Sequence, residues 1–205
     1  IRGAAQLLAT SAAPEDMELC HLITAETDRI TRLLDRLNIL AEDEGPMRQA
    51  LNIHEVIDKV LQIYDMSDWP KLEVSRAFDP SLPPVLGHDD SLVQVFLNLV
   101  KNAGEAMGDA GNLRIETTYR TGTRIQRGNN SLPNLPIEVR IIDGGPGVPL
   151  ELSNHLFTPF VGAREGGTGL GLAIVAKLVN QHEGLVDYRR VGDESVFAVR
   201  LPRAI

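Results

Sequence analysis

Across residues 89–107 the chain carries Leu92, Val93, Val95, Phe96, Leu97, Leu99, Val100, Ala103 and Met107 at helical spacing, so apolar side chains wrap most of one helix. Such a helix cannot lie on a surface. It needs other elements around it, which requires a layered domain. Asn98, Asn102 and Glu105 interrupt the apolar surface, and steps of four and three residues put them on one face. Two carboxamides are thereby carried to a nearly buried position where each needs a partner. Neighbouring backbone would satisfy them, and so would a ligand at that face.

Two glycine-rich stretches follow. The apolar run 137–142 ends in Asp143-Gly144-Gly145-Pro146-Gly147. A carboxylate at a strand end accepts a hydrogen bond from an exocyclic amine such as that of adenine, and the glycines let backbone approach a ligand. An ordinary Asp-Gly turn reads the same way. Farther on, Gly166-Gly167-Thr168-Gly169-Leu170-Gly171-Leu172 runs into a helix expected over about 170–182. Glycines at a helix start expose N–H groups at the positive end of the macrodipole, where a triphosphate fits without a cationic side chain. A flexible hinge is the plainer alternative. The stretch lacks the Gly-Lys-Ser/Thr of a P-loop and the preceding strand of a dinucleotide fingerprint.

The rest of the chain supplies the frame. Residues 1–12 and 15–42 read as two helices joined near Ala13-Pro14, a hairpin with a stripe of Leu19, Ile23, Ile30, Leu33, Leu37 and Leu40. A stripe of that length calls for cover, by a second copy or by the rest of the chain. Asp43-Glu44-Gly45-Pro46 is a linker, so residues 1–45 and 46–205 form separate domains. In the second, helices are expected at 54–66, 89–107 and 170–182, and strands at 72–78, 112–120, 136–142, 185–190 and 195–201. A proline-rich loop covers 80–84, an exposed loop 121–135, and Gly184 stops the last helix. Helices and strands mix without strict alternation, which predicts an α+β fold: a two-layer sandwich with helices on one face of a mixed sheet.

Composition narrows the function. With 20 Lys and Arg against 28 Asp and Glu, the net charge of -8 is the wrong sign for gripping nucleic acid phosphates. It suits a cytoplasmic protein. The one cysteine, Cys20, has no internal disulfide partner and sits among helical apolar residues as a small hydrophobe. Residues 92–100, broken by Gln94 and Asn98, fall short of the roughly 20 apolar residues that span a bilayer. The opening Ile-Arg-Gly-Ala-Ala-Gln-Leu-Leu reads as the inside of a helix, which suggests a fragment.

The order Asn-xxx-Asn helix, Asp-x-Gly-x-Gly, Leu156-Phe157-Thr158-Pro159-Phe160, then Gly-Thr-Gly-Leu-Gly-Leu resembles the N, G1, F and G2 boxes of the ATP-binding domain of sensor histidine kinases. That superfamily, with its Bergerat-type fold, also holds gyrase-type ATPases, Hsp90 chaperones and MutL. Ile1-Arg-Gly-Ala-Ala-Gln-Leu-Leu8, Phe78-Asp-Pro-Ser-Leu-Pro83 and Arg164-Glu-Gly-Gly-Thr-Gly-Leu-Gly-Leu172 look like the nitrogen-regulation (NtrB) type. The resemblance implies that Asp143 holds the adenine amine, with Gly145 and Gly147 shaping that pocket. It implies that Asn102 coordinates Mg²⁺ beside Asn98, and that Gly167, Thr168, Gly169, Leu170 and Gly171 line the phosphates of ATP. Lys101 and Arg164 are implied as phosphate contacts, and residues 160–169 as a lid. Gly144 departs from the pattern, since relatives often carry Asn there.

Asn98 bears on the chemistry. Hydrolytic members of the superfamily place a glutamate at that helix position, and a carboxamide cannot serve as general base. The resemblance therefore implies transfer of the γ-phosphoryl group to a histidine on the hairpin, then to an aspartate of a nitrogen-regulation response regulator. A PII-type signalling protein and a homodimer of the intact protein are implied as partners. The acceptor motif His-Glu-x-x-Asn-Pro is absent and is expected within roughly three helical turns upstream of Ile1. His54-Glu55 is a poor substitute, because Asp58-Lys59 stands where Asn-Pro belongs. A nucleotide-gated interaction module and a gyrase- or Hsp90-like ATPase are the alternatives.

Overall fold

The computed structural model describes residues 1–9, 14–42, 45–108, 110–120, 126–127, 130–131, 135–161 and 168–204. The chain divides into two compact units, Ile1–Asp43 and Glu44–Ile205. In the first, α1 (Arg2–Ala9) packs on α2 (Pro14–Ala41), and Arg2 Nε lies 3.1 Å from Asp28 Oδ1, tying the start of α1 to the middle of α2. The expected helix junction at Ala13-Pro14 falls partly outside the described residues. Cys20 is buried as anticipated, whereas Leu19, Leu22, Ile23, Ile30, Leu34 and Leu37 are exposed.

The second unit begins with β1 (Gln49–Leu51) and α3 (Ile53–Asp65). Asn52 caps α3 by accepting the His54 N–H at 3.1 Å, and its own amide donates to Glu55 at 3.0 Å. There follow β2 (Lys71–Ala77), β3 (Val85–Gly87), α4 (Asp89–Met107) and β4 (Ala110–Tyr119). Next come β5 (Gln126–Arg127), β6 (Asn130–Ser131), β7 (Ile137–Asp143) and α5 (Leu150–Ser153). Helix α6 (Gly171–Gln181) and the hairpin of β8 (Leu185–Val191) and β9 (Glu194–Leu201) complete the unit.

Strands β2-β4-β7-β9-β8 form one sheet, parallel between β2 and β4 and antiparallel elsewhere. Helix α4 packs against α3, α6, β4 and β7, so the helix that is apolar nearly all round is covered nearly all round. Leu92, Val95, Phe96, Leu99 and Val100 are fully buried. This is the expected two-layer sandwich on a mixed sheet. The reading of 121–135 as wholly loop needs correcting: β5 and β6 pair, Gln126 opposite Ser131 and Arg127 opposite Asn130. The intervening Gly128-Asn129 has the composition of a hairpin dipeptide.

Other elements went unforeseen. Strands β1 and β3 pair antiparallel, Val85 bridges Arg203, and the Leu86 N–H donates to Pro202 O at 3.1 Å. The last helix stops with Glu183 at φ 56, one residue before Gly184. Gly184 is there for space, since a Cβ would stand 2.6 Å from Arg200 O.

Two interactions join distant elements. His182, at the end of α6, is buried; its Nδ1 donates to Leu178 O at 2.7 Å and its Nε2 accepts the His88 N–H at 2.9 Å, just before α4. On the sheet face away from α4, Glu138 is fully buried beneath Arg120, Arg140 and Arg200, with contacts of 3.1, 2.7 and 2.7 Å. A ladder of opposite charges continues through Arg140–Glu116, Arg114–Glu194 and Arg200–Asp187.

Burial pushes the His182 pKa below its usual value near 6.5; the Leu178 carbonyl opposes this, and Arg48 and His88 reinforce it. A neutral-preferring histidine contributes stability above its unfolded pKa, and that contribution is lost as pH falls below it. Replacement by His182→Gln, which keeps an acceptor but cannot titrate, should flatten the fall in urea-unfolding stability below about pH 6.5. For Glu138, burial acts to raise the carboxyl pKa, but hydrogen bonds from Arg140 and Arg200 and the charges of Arg140 and Arg120 bring it below normal. Its contribution is present above the unfolded carboxyl pKa and disappears in acid. Thermal denaturation of Glu138→Ala at neutral pH should show a loss of about 3 kcal/mol, shrinking as pH drops below the carboxyl range.

Candidate functional site

Strand β7 is buried along nearly its whole length and delivers Asp143, 3% exposed, to its end. Asp143 Oδ1 accepts the Gly145 N–H at 2.9 Å, closing a tight turn. A Cβ on Gly145 would stand 2.8 Å from Asp143 Oδ1 and 2.9 Å from Ala106 Cβ, so the turn rests directly on α4 and admits only glycine. Gly147 adopts φ 77, a left-handed conformation, with Tyr188 and Arg190 of β8 against it.

The second glycine stretch meets the same helix nearer its start. Phe160 and Gly169 are both at φ 65, and the Phe160 N–H donates to Gly169 O at 3.0 Å, which closes residues 160–169 at the base. Leu170 is buried and supplies no side-chain cap to α6, whose first-turn N–H groups have no i−4 carbonyl within the helix. Gly171, the first residue of α6, stands against the amides: a Cβ there would be 3.6 Å from Asn98 Oδ1 and 3.9 Å from Asn102 Oδ1. Asn98 Nδ2 donates to Gln94 O at 2.9 Å, which fixes the oxygen end of that carboxamide toward α6.

Helix α4 thus brings together Asn98, Asn102 and Gly171 at one level and, through Ala106, Asp143 and Gly145 at another. Ala106 lies four residues beyond Asn102 and eight beyond Asn98, a helical rise of about 6 and 12 Å. Thr168 lies beside this site, its Oγ1 3.5 Å from the Leu170 N–H. Arg164 and Gly167, expected to touch phosphate, fall outside the described residues, as does most of the 160–169 stretch. Lys101 flanks the asparagine face, its Nζ 5.0 Å above the Trp69 ring and 3.7 Å from Glu105. His54 is occupied elsewhere: its ring stacks on Phe78 at 4.6 Å and its Nε2 lies 2.9 Å from Thr117 Oγ1. Tyr188, Arg190 and Ser195 escaped the sequence reading, because only strand register brings them beside residues some 45 positions earlier.

The chemistry of the two ends differs. At one, a buried carboxylate accepts from an N–H donor. At the other, a helix N-terminus faces two neutral carboxamide oxygens, a set that offers N–H groups to an anion and hard oxygen ligands to its counter-cation. Neither carboxamide can take up a proton. Among the described residues no three His, Cys, Asp or Glu side chains converge as a metal site, so a cation here would depend on oxygens brought by the anion. The donor set fits Mg²⁺ shared with phosphates, for which Asn98 and Asn102 would supply the protein oxygens.

Comparison with known proteins bears on the same residues. Residues 87–205 match the family model described as histidine kinase-, DNA gyrase B-, and HSP90-like ATPase. The sensory histidine kinase/phosphatase NtrB of Rhizobium meliloti (strain 1021) is 45% identical over 205 residues, covering 98% of this chain and 54% of that protein. The protein of the same name from Rhodobacter capsulatus is 40% identical, covering 100% of this chain and 58% of its own length. The chain therefore spans about half the length of these relatives. Among solved structures, the catalytic domain of histidine kinase ThkA superposes with a TM-score of 0.60 at 26% identity, covering 76% of this chain and 95% of that one. Full-length ShkA in complex with AMPPNP shares the fold at a TM-score of 0.78 and 22% identity, over 100% of this chain and 42% of its own. With more than half of its residues matching the model, and both glycine turns seated on the asparagine-bearing helix, the chain belongs to the histidine kinase-, DNA gyrase B-, and HSP90-like ATPase family.

Proposed function

We propose that the chain binds Mg-ATP along α4 and presents the γ-phosphoryl group to a histidine on a dimerisation hairpin, for onward transfer to an aspartate of a nitrogen-regulation response regulator. The observation that carries this reading is the placement of Gly171 against Asn98 and Asn102, one to two turns along α4 from Ala106, on which the Asp143 turn rests. Asp143 accepts the adenine amine. Gly145 and Gly147 shape that end of the pocket. The first-turn N–H groups at Gly171, with Thr168, Gly169, Leu170 and Gly167, surround the phosphates, and Arg164 adds charge. Lys101 joins them only by leaving Trp69.

Mg²⁺, when bound, would offset charge on the phosphates; Asn102 holds it, with Asn98 alongside. Because neither carboxamide can deprotonate water, the site favours a nucleophile brought from outside. The exposed stripe of α2 supports self-association through the hairpin in the intact protein, with about 25 cal/mol gained per Å² of apolar surface covered. The likeness to proteins named sensory histidine kinase/phosphatase NtrB supports a two-component role, and the proposal adds nitrogen regulation, a PII-type signalling protein as a further partner and the cytoplasm as the setting. No described helix is long and apolar enough to cross a membrane.

The test is incubation with γ-labelled Mg-ATP and a separately supplied histidine-bearing hairpin. Label should appear on the hairpin. Asp143→Ala should abolish it while weakening nucleotide binding by about tenfold or more, as expected for loss of a hydrogen bond to a charged group. Rapid release of free phosphate with an unlabelled hairpin would instead make the protein an ATPase, and binding without transfer would make it a nucleotide-gated module. Gly169→Ala tests the closure at Phe160. A Cβ there meets Phe160 C at 2.7 Å from a backbone at φ 65. Differential scanning calorimetry should show a loss of about 1–3 kcal/mol.

A further inference from the structure

The turn that carries Asp143 is held from β8, by side chains that no sequence motif marks. Arg190 Nη1 donates to Gly145 O at 2.7 Å and to Ser195 Oγ at 3.0 Å. Tyr188 OH accepts the Val148 N–H at 3.0 Å, while its ring packs on Phe197 with centroids 4.9 Å apart. Gly145 is thus fixed on both sides, its N–H by Asp143 and its carbonyl by Arg190. Between the two attachments lies Gly147, where a Cβ would stand 2.9 Å from Arg190 Nη1 and 3.1 Å from Tyr188 OH. Although much of Arg190 faces solvent, both its bonds leave from one nitrogen and end on the inner side of the turn, one of them on buried Ser195.

We propose that Arg190 and Tyr188 are positioning residues that set purine selection, by holding the Asp143–Val148 turn where it accepts an adenine amine and rejects a guanine carbonyl. The proposal rests on the nucleotide reading above. A carboxylate held rigidly discriminates because the guanine O6 is an acceptor facing an acceptor. Once the turn can shift, the same carboxylate reaches the N1–H and amino group of guanine, and the difference narrows. A purely structural role would lower stability and leave the ratio of affinities alone.

The experiment measures ATP and GTP affinities by displacement of a fluorescent nucleotide, for the full chain and for Asp143→Ala, Tyr188→Phe, Arg190→Ala and Arg190→Lys. Melting temperatures and amide hydrogen exchange of the nucleotide-free proteins accompany them. Tyr188→Phe keeps the ring on Phe197 and removes only the acceptor. It should speed exchange of the Val148 amide, weaken ATP by about tenfold, as for one lost hydrogen bond, and leave GTP nearly unchanged. Arg190→Ala should narrow the ratio in the same direction, and Arg190→Lys, which restores a donor, should recover part of it. If Asp143→Ala loses ATP while the β8 variants keep the wild-type ratio, the positioning role is overturned and the nucleotide reading stands, even where melting temperatures fall. If the unaltered chain does not bind ATP, both fall together.

Discussion

A helix that is apolar around nearly its whole circumference must be buried from several directions, and α4 is covered by two strands of the sheet and by two other helices. Whatever polar groups it carries are then committed to the few gaps left in its cover. Here the gap is the level where α6 begins, and the absence of a side chain at Gly171 is what keeps it open. The rest of the second unit follows from this helix. β7 passes across it and ends at Asp143, the turn after β7 rests on Ala106, and α6 starts against Asn98 and Asn102. The two ends of the site are spaced by helical rise, along the stiffest element available, and do not depend on the conformation of the intervening loop.

The opposite face of the sheet solves a different problem. A two-layer sandwich leaves one sheet face without a covering layer, yet Val196, Ala198 and Ile142 on that side are nearly inaccessible. Arginines of the ladder stand on that same face, pairing their guanidinium heads with Glu138, and such side chains carry long apolar stems able to cover neighbouring surface. Charge and cover come from the same side chains. This accounts for a glutamate with no exposed surface in a strand that otherwise reads as core.

Much of this organisation was legible in the amino-acid order, and what was not has physical reasons. Helix α4, strand β7 with its terminal Asp143, and the start of α6 are each specified by local pattern: periodicity, a strand end followed by glycines, glycines followed by a helix. Strands β1 and β3 are three residues each and exist only because they pair with one another and with Arg203, so no local period announces them. The short α5, with no side-chain cap, is equally faint. The contact of Lys101 over Trp69 joins α4 to the segment before β2, and no local pattern announces it. Arg190 and Tyr188 read as ordinary edge-strand residues until the register of β8 on β9 sets them beside Gly147.

The pairing of β3 with residues 202–204 has a consequence for how the chain acquires its fold. The Leu86 N–H and Pro84 O bond to Pro202 O and the Ala204 N–H, and directly after β3 the His88 N–H bonds to His182. Strand β3 leads directly into α4, so the entry to the central helix is locked by segments separated from it by roughly a hundred residues of chain. Contacts of such long sequence separation are slow to form, and during vectorial synthesis they must wait for residues 202–204 to leave the ribosome. Until then α4 presents its apolar surface without complete cover. The nascent chain is therefore exposed to misassociation until that segment has emerged, and closure of the second unit waits on its last strand.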